Sequence, residues 1–263
     1  MKNMIWRDLG FFVERLSELS VSRSILLESG LSLGYGFCVS VGSYAENWVY
    51  FPGRITSLDY VVKAKKFFEE RGETFMWPVY DGGTEFLEEA GLVYAGDITA
   101  MSLDPKNARL SRVNPDLAGV RIEHLMCDFY AKEWAETAWR VFGGEGDVPE
   151  EYCRFVDALR REGESLSRGG DGISLHWIMV DKKVAGTFAL TEEAEMIGVY
   201  YFGTLPECRR MGVASAMMNK ICSIAGERRI VLQSTPMGLG FYRSFGFTEH
   251  FKIPVYSTDK DIL

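Results

Sequence analysis

The chain is poor in the residues that build metal and disulfide sites. It has three histidines, His124, His176 and His250, which are widely separated and show no ligand spacing, so no metal is expected. Its cysteines, Cys38, Cys127, Cys153, Cys208 and Cys222, are odd in number and never form a C-x-x-C pair. Such a set reads as reduced structural thiols rather than a disulfide framework or a zinc site. No apolar run approaches the roughly 20 residues of a membrane helix, so no membrane partner is expected. The first 14 residues carry Asp8 and Glu14 and lack an apolar segment of signal-peptide length. A cytoplasmic protein is the expectation. Basic charge is also short: 29 Lys and Arg stand against 37 Asp and Glu, a net charge of -8. A nucleic-acid partner would call for a basic face, and none is expected here. A local basic pocket for an anionic ligand remains compatible with this balance.

Apolar residues are plentiful, at 47% of 263 positions, enough for one large core or two modest ones. Helical and strand-like patterns alternate. Ile5, Leu9, Phe12, Leu16 and Leu19 recur at helical spacing. Strands are expected at 37–41, 48–51, 74–80 and 92–103, with helices at 61–71 and 84–90. A polar stretch, 105–119, contains Pro105, Asn107, Asn114 and Pro115 and reads as a linker between two halves, 1–104 and 120–263. The second half predicts a strand at 120–122 and helices at 126–142 and 149–163. Three strands follow at 173–180, 184–190 and 196–202. A helix at 213–225, a strand at 230–233, a short helix at 238–245 and a strand at 247–256 complete it.

The informative segment runs from Val199 to Met218. A strand enters the turn Arg209-Arg210-Met211-Gly212-Val213-Ala214, which opens directly into a helix. The first helical turn leaves backbone N–H groups without internal partners. With the helix dipole they form an anion site. Gly212 has no side chain to hold a phosphate away from the backbone. Ala214 is small at the next close contact, and Arg209 and Arg210 add positive charge. A pyrophosphate suits such a nest of donors.

This segment, with Pro206 before it, resembles the acetyl-CoA segment of the GNAT superfamily of N-acetyltransferases. Downstream, Ile230 to Phe247 resembles that superfamily's penultimate strand, short helix and F-Y-x-x-x-G-F signature. The resemblance spans about 120–256. It implies an α/β fold of mixed, largely antiparallel sheets flanked by helices, and transfer of an acetyl or other short acyl group from acyl-CoA to an amine acceptor. It implies roles by position as well. Backbone groups of Phe202, Gly203 and Thr204 would bind the pantetheine arm and polarise the thioester. Arg209, Arg210, Met211, Gly212, Val213, Ala214 and Ser215 would cradle the pyrophosphate. Tyr242 would be the acid that reprotonates the CoA thiolate, a task suited to a phenol, which is protonated at neutral pH. Many relatives carry Asn seven positions before that tyrosine. Here Thr235 stands there, beside Ser234, and a hydroxyl replaces only part of an amide's hydrogen bonding.

No general base is evident. Glu192, Glu193 and Glu195 between two strands, and Glu145 and Asp147 in the helix–helix loop, are candidates that also read as solvated surface. The acidic loop is compatible with a cationic amine. The alternative is a catalytically silent acyl-CoA sensor.

The two halves also resemble each other. Phe86-Leu-Glu-Glu-Ala-Gly-Leu92 parallels Phe241-Tyr-Arg-Ser-Phe-Gly-Phe247 at an offset of 241 − 86 = 155. At that offset Arg209 maps to Arg54, Gly212 to Ser57, Ala214 to Asp59 and Tyr242 to Leu87. The reading is two GNAT-like halves, the first degenerate and no longer able to bind CoA.

Overall fold

A computed structural model describes residues 1–19, 24–28, 35–39, 47–51, 53–110, 119–126, 130–166 and 171–263. The expected strand residues Ser40 and Val41, Cys127, and most of the 105–119 stretch lie outside the described residues. The chain forms two compact units that interleave in sequence. The first comprises Met1–Ala100, Gln233–Leu239 and His250–Leu263, and the second Met101–Leu232 and Gly240–Glu249.

In the first unit, helix α1 (Lys2–Leu19) turns Ile5, Leu9, Phe12 and Leu16 inward at three- and four-residue spacing, and all four are buried. Strands β1 (Ser24–Glu28), β2 (Tyr35–Val39) and β3 (Trp48–Tyr50) form an antiparallel sheet in that order. Helix α2 (Leu58–Glu69) buries Val61, Ala64, Phe67 and Phe68. The strand expected at 74–80 shrinks to β4 (Trp77–Pro78). Pro78 has no N–H to continue a ladder. Asp81-Gly82-Gly83 then turns the chain, with both glycines at positive φ, into α3 (Thr84–Glu89). Strand β5 (Val93–Leu103) follows. The last strand, β11 (Thr248–Ser257), returns to this unit and pairs antiparallel with β4 through Val255 and Tyr256. The core gathers Phe68, Phe75, Trp77, Leu87 and Ile55 together with Tyr256.

The second unit contains β6 (Arg121–His124), α4 (Ala131–Val141), α5 (Glu150–Leu166), β7 (Gly172–Val180), β8 (Lys183–Glu192) and β9 (Met196–Thr204). Helix α6 (Val213–Ala225), β10 (Arg229–Ser234) and α7 (Leu239–Phe245) complete it. Its strands run in the order β10-β9-β8-β7-β6. The pairs β6–β7, β7–β8 and β8–β9 are antiparallel and β9–β10 is parallel, the mixed, largely antiparallel sheet expected. The β7–β8 hairpin turns through Asp181 and Lys182, both at positive φ as a tight hairpin requires. Helix α4 buries Ala131, Trp134, Ala135 and Ala138 along one stripe, and the Trp134 indole N–H donates to the His176 carbonyl at 2.8 Å.

Candidate functional site

Two irregularities of β9 open the site. The first is a bulge. The β8–β9 register shifts between Thr187 and Ala189, so β9 carries one extra residue, and Tyr201 adopts a left-handed φ of 49°. The Thr187 hydroxyl donates to the Tyr201 carbonyl at 3.3 Å, securing the displaced backbone. The second is a splay. Strands β9 and β10 are paired only at Met196–Arg229, Ile197–Ile230 and Gly198–Val231. Beyond these pairs β9 continues through Phe202, Gly203 and Thr204 with no ladder partner on its β10 side. A sheet edge opened in this way presents backbone donors and acceptors to an extended ligand.

Past Thr204 the chain makes a 3-10 turn at Pro206–Cys208 and reaches α6. Gly212 is the residue before the helix, at φ 93°, and no side chain caps it. Arg210 is also left-handed, at φ 64°. The helical ladder begins with Ala216 N–H to the Gly212 carbonyl at 3.0 Å, so the N–H groups of Val213, Ala214 and Ser215 precede it. Arg209, Arg210 and Met211 are exposed around this turn, and among the described residues neither arginine is in an ion pair. Glu207, the nearest carboxylate in sequence, is neutralised by Arg140 of α4 at 2.7 Å. Its carboxyl is held below the usual range by its own backbone N–H and by Arg140.

The equivalent helix start in the first unit is closed. Ser57 Oγ accepts from Asp59 N–H at 3.1 Å, capping α2, and Asp59 lies in its first turn. Arg54 is paired to Glu85 at 2.9 Å. An anion there would have to displace a cap and face a carboxylate.

Tyr242 lies on α7 with its ring centroid 5.9 Å from that of Phe202, and it also packs on Phe241 and Phe247. Only 8% of the residue is exposed, and burial raises its phenol above the ordinary value, so the group stays protonated. The arrangement thus brings Tyr242 to the splayed end of β9, and holds Arg209 through Ser215 in one turn. Ser234 is buried and donates its hydroxyl to the Thr235 carbonyl at 2.8 Å, so its proton is already used locally.

The carboxylates considered as a base fare differently. Glu192 is ion-paired to Arg228 at 3.3 Å and accepts from Ser174 at 2.9 Å. It lies five residues along β8 from Thr187, which pairs with Gly203. At strand rise that is about 17 Å. Glu192 therefore stabilises the far end of the sheet. Glu145 and Asp147 are exposed in the α4–α5 loop.

Sequence reasoning missed the bulge at Tyr201, for which only the later register shows a signal. It also missed that His124 and His176, distant in sequence, are direct cross-strand partners with rings 4.9 Å apart. Among the described residues no group of three or more His, Cys, Asp or Glu is placed to hold a metal ion, and no helix is long and apolar enough to cross a membrane.

Residues 172–249 match the acetyltransferase (GNAT) domain family. No curated protein matches the sequence. Among solved structures, a GCN5-related N-acetyltransferase from Kribbella flavida is similar with a TM-score of 0.56 at 12% identity, over 94% of each chain. A tandem GNAT protein from the clavulanic acid biosynthesis pathway is similar with a TM-score of 0.55 at 12% identity, over 92% of this chain and 86% of that one. A functionally unknown conserved protein from Staphylococcus epidermidis reaches a TM-score of 0.56 at 15% identity, over 84% and 90%. These likenesses establish a tandem GNAT-type α/β fold along the chain, with the family signature in its C-terminal part.

Proposed function

We propose that this chain, which carries a GNAT acetyltransferase domain, binds one acyl-CoA through its C-terminal half and transfers a short acyl group to an amine. The observation that carries the reading is the pairing of an uncapped, glycine-led helix start at Gly212 with a strand, β9, splayed from its neighbour at Phe202–Thr204. The first supplies uncommitted N–H donors for a pyrophosphate. The second supplies an extended peptide edge for the pantetheine arm, whose own amides need partners of that kind.

In this reading the amine nitrogen attacks the thioester carbonyl. The C–N bond forms, the C–S bond breaks, and the thiolate takes the Tyr242 proton, while the proton lost by the attacking nitrogen returns to the phenol through solvent. Burial keeps Tyr242 protonated until a thiolate develops beside it. A cationic amine suits the acidic loop containing Glu145 and Asp147.

The first half we read as a degenerate copy that binds no CoA, because Ser57 caps α2 and Asp59 occupies its first turn. The rival reading is a silent acyl-CoA sensor. Thiol release followed across a panel of amines with acetyl-CoA decides: turnover supports the enzyme, and tight acetyl-CoA binding with no turnover on any amine supports the sensor.

A further inference from the structure

We propose that Arg140, in the last turn of α4, is a positioning residue for the donor site: by taking the carboxylate of Glu207 it leaves Arg209 and Arg210 to the phosphates of the donor. The inference rests on the acyl-CoA reading and adds to it a residue from a separate element.

The turn that would hold the phosphates carries its own rival anion. Glu207 stands two residues before Arg209, three before Arg210 and five before Gly212. Five residues span at most about 18 Å, and the 3-10 turn at Pro206–Cys208 and the left-handed Arg210 both bend that path. A carboxylate so placed can pair with either arginine, and it can repel a phosphate. It does not take either arginine. Glu207 instead meets Arg140 at 2.7 Å, a residue 67 positions away in the chain. The first unit shows the other outcome. Arg54, which matches Arg209 at the repeat offset, is consumed by Glu85 at 2.9 Å.

Each partner is set where it stands without the other's help. Arg140 lies in the last turn of α4, where the helix dipole favours a cation. Glu207 lies in the first turn of the 3-10 helix, and its carboxylate accepts from its own backbone N–H. Removing the Arg140 charge therefore leaves Glu207 in place with an uncompensated carboxylate, and the turn intact. More than half of each side chain is exposed, so the pair itself adds little stability. Its effect is read in ligand affinity. One charge acting across about 10 Å of solvent on a doubly charged diphosphate changes affinity roughly three- to tenfold.

The experiment is a calorimetric titration of the full chain with CoA at about 0.01 M and about 1 M salt, where the Debye length is about 30 Å and about 3 Å. Wild type is compared with Arg140→Gln, Glu207→Gln and the double variant, each checked for a native thermal melt. At low salt Arg140→Gln should weaken CoA binding by roughly three- to tenfold, and at high salt the gap should close. Glu207→Gln should bind at least as tightly as wild type. The double variant should return to within about twofold of Glu207→Gln, because the charge that Arg140 answers is gone. Arg140→Gln equal to wild type at low salt overturns the inference while leaving the acyl-CoA reading in place. A loss that persists at high salt and in the double variant also overturns it, since Arg140 would then be a structural support of α4. Failure of CoA to bind wild type overturns both.

Discussion

Tyr242 and Phe202 come from segments 40 positions apart in the chain, yet their rings lie 5.9 Å apart at 51°. The pair joins the candidate acid to the strand end that would hold the thioester. Tyr242→Phe removes one hydroxyl and little volume, so fold and acetyl-CoA affinity should persist. With an amine acceptor in hand, kcat should fall by roughly 10²–10⁴-fold, with little change in affinity for the donor. Steady-state kinetics that leave kcat unchanged would make Tyr242 a packing residue.

A second expectation contrasts two helix starts. Gly212→Asp should abolish acetyl-CoA binding, because it sets a carboxylate where a pyrophosphate would lie. Aspartate tolerates the left-handed backbone of this position better than most residues, so the variant should still fold. Ser57→Ala removes the α2 cap, should cost about 1 kcal/mol of stability, and should leave binding unchanged. Calorimetry should find one site per chain. Two equivalent sites, or a site lost on changing Ser57, would count against the degenerate-copy reading.

These contrasts were largely legible in the sequence. Gly212 leads α6 with no side-chain cap, whereas Ser57 caps α2 and Asp59 lies in its first turn, a difference that residue type alone predicts. Local periodicity also marks helices, since α2, α6 and α7 bury residues at three- and four-residue spacing. What stayed hidden depends on pairing between distant segments. The extra residue in β9 becomes visible only when Gly203 is seen opposite Thr187 and Tyr200 opposite Ala189. The commitment of Glu192 to Arg228 and Ser174 required the same long-range information, as did the pairing of β11 with β4.

Acid sensitivity should arise from the histidine pair. His176 Nε2 lies 3.0 Å from Ser174 Oγ, and Ser174 donates to Glu192, which Arg228 holds. Burial first, then the nearby His124 and Lys220, lower the His176 pKa to about 3. Burial also lowers that of His124. Between pH 6.5 and 3 the unfolded chain therefore binds more protons than the folded one. The neutral histidines' contribution is fully present above pH 6.5 and is lost as pH falls below it, with a slope of up to about 1.4 kcal/mol per pH unit for each proton. Urea melts of His176→Asn across this range should show a shallower acid limb than wild type. An identical slope would remove His176 as its cause.

The interleaving of the two units makes a last prediction about fragments. The segment His250–Leu263 belongs to the first unit, where Tyr256 sits in the core, its hydroxyl donates to Glu88 at 3.0 Å, and Val79 N–H donates to the Pro254 carbonyl at 2.8 Å. A fragment beginning near residue 118 keeps this strand but loses β4, Trp77 and Leu87. It would expose Tyr256, whose partners lie in the first unit's core, together with the strand edge that pairs with β4, a combination that favours association. Such a fragment should aggregate or melt without cooperativity. The reciprocal fragment, residues 1–104, lacks the strand that closes its core and should also fail to show a two-state urea transition. Adding a peptide of residues 246–263 to fragment 1–104 should restore cooperativity, because it supplies the missing partner of β4. A fragment 118–263 that is soluble, monomeric and cooperatively folded would show that the C-terminal half is self-sufficient.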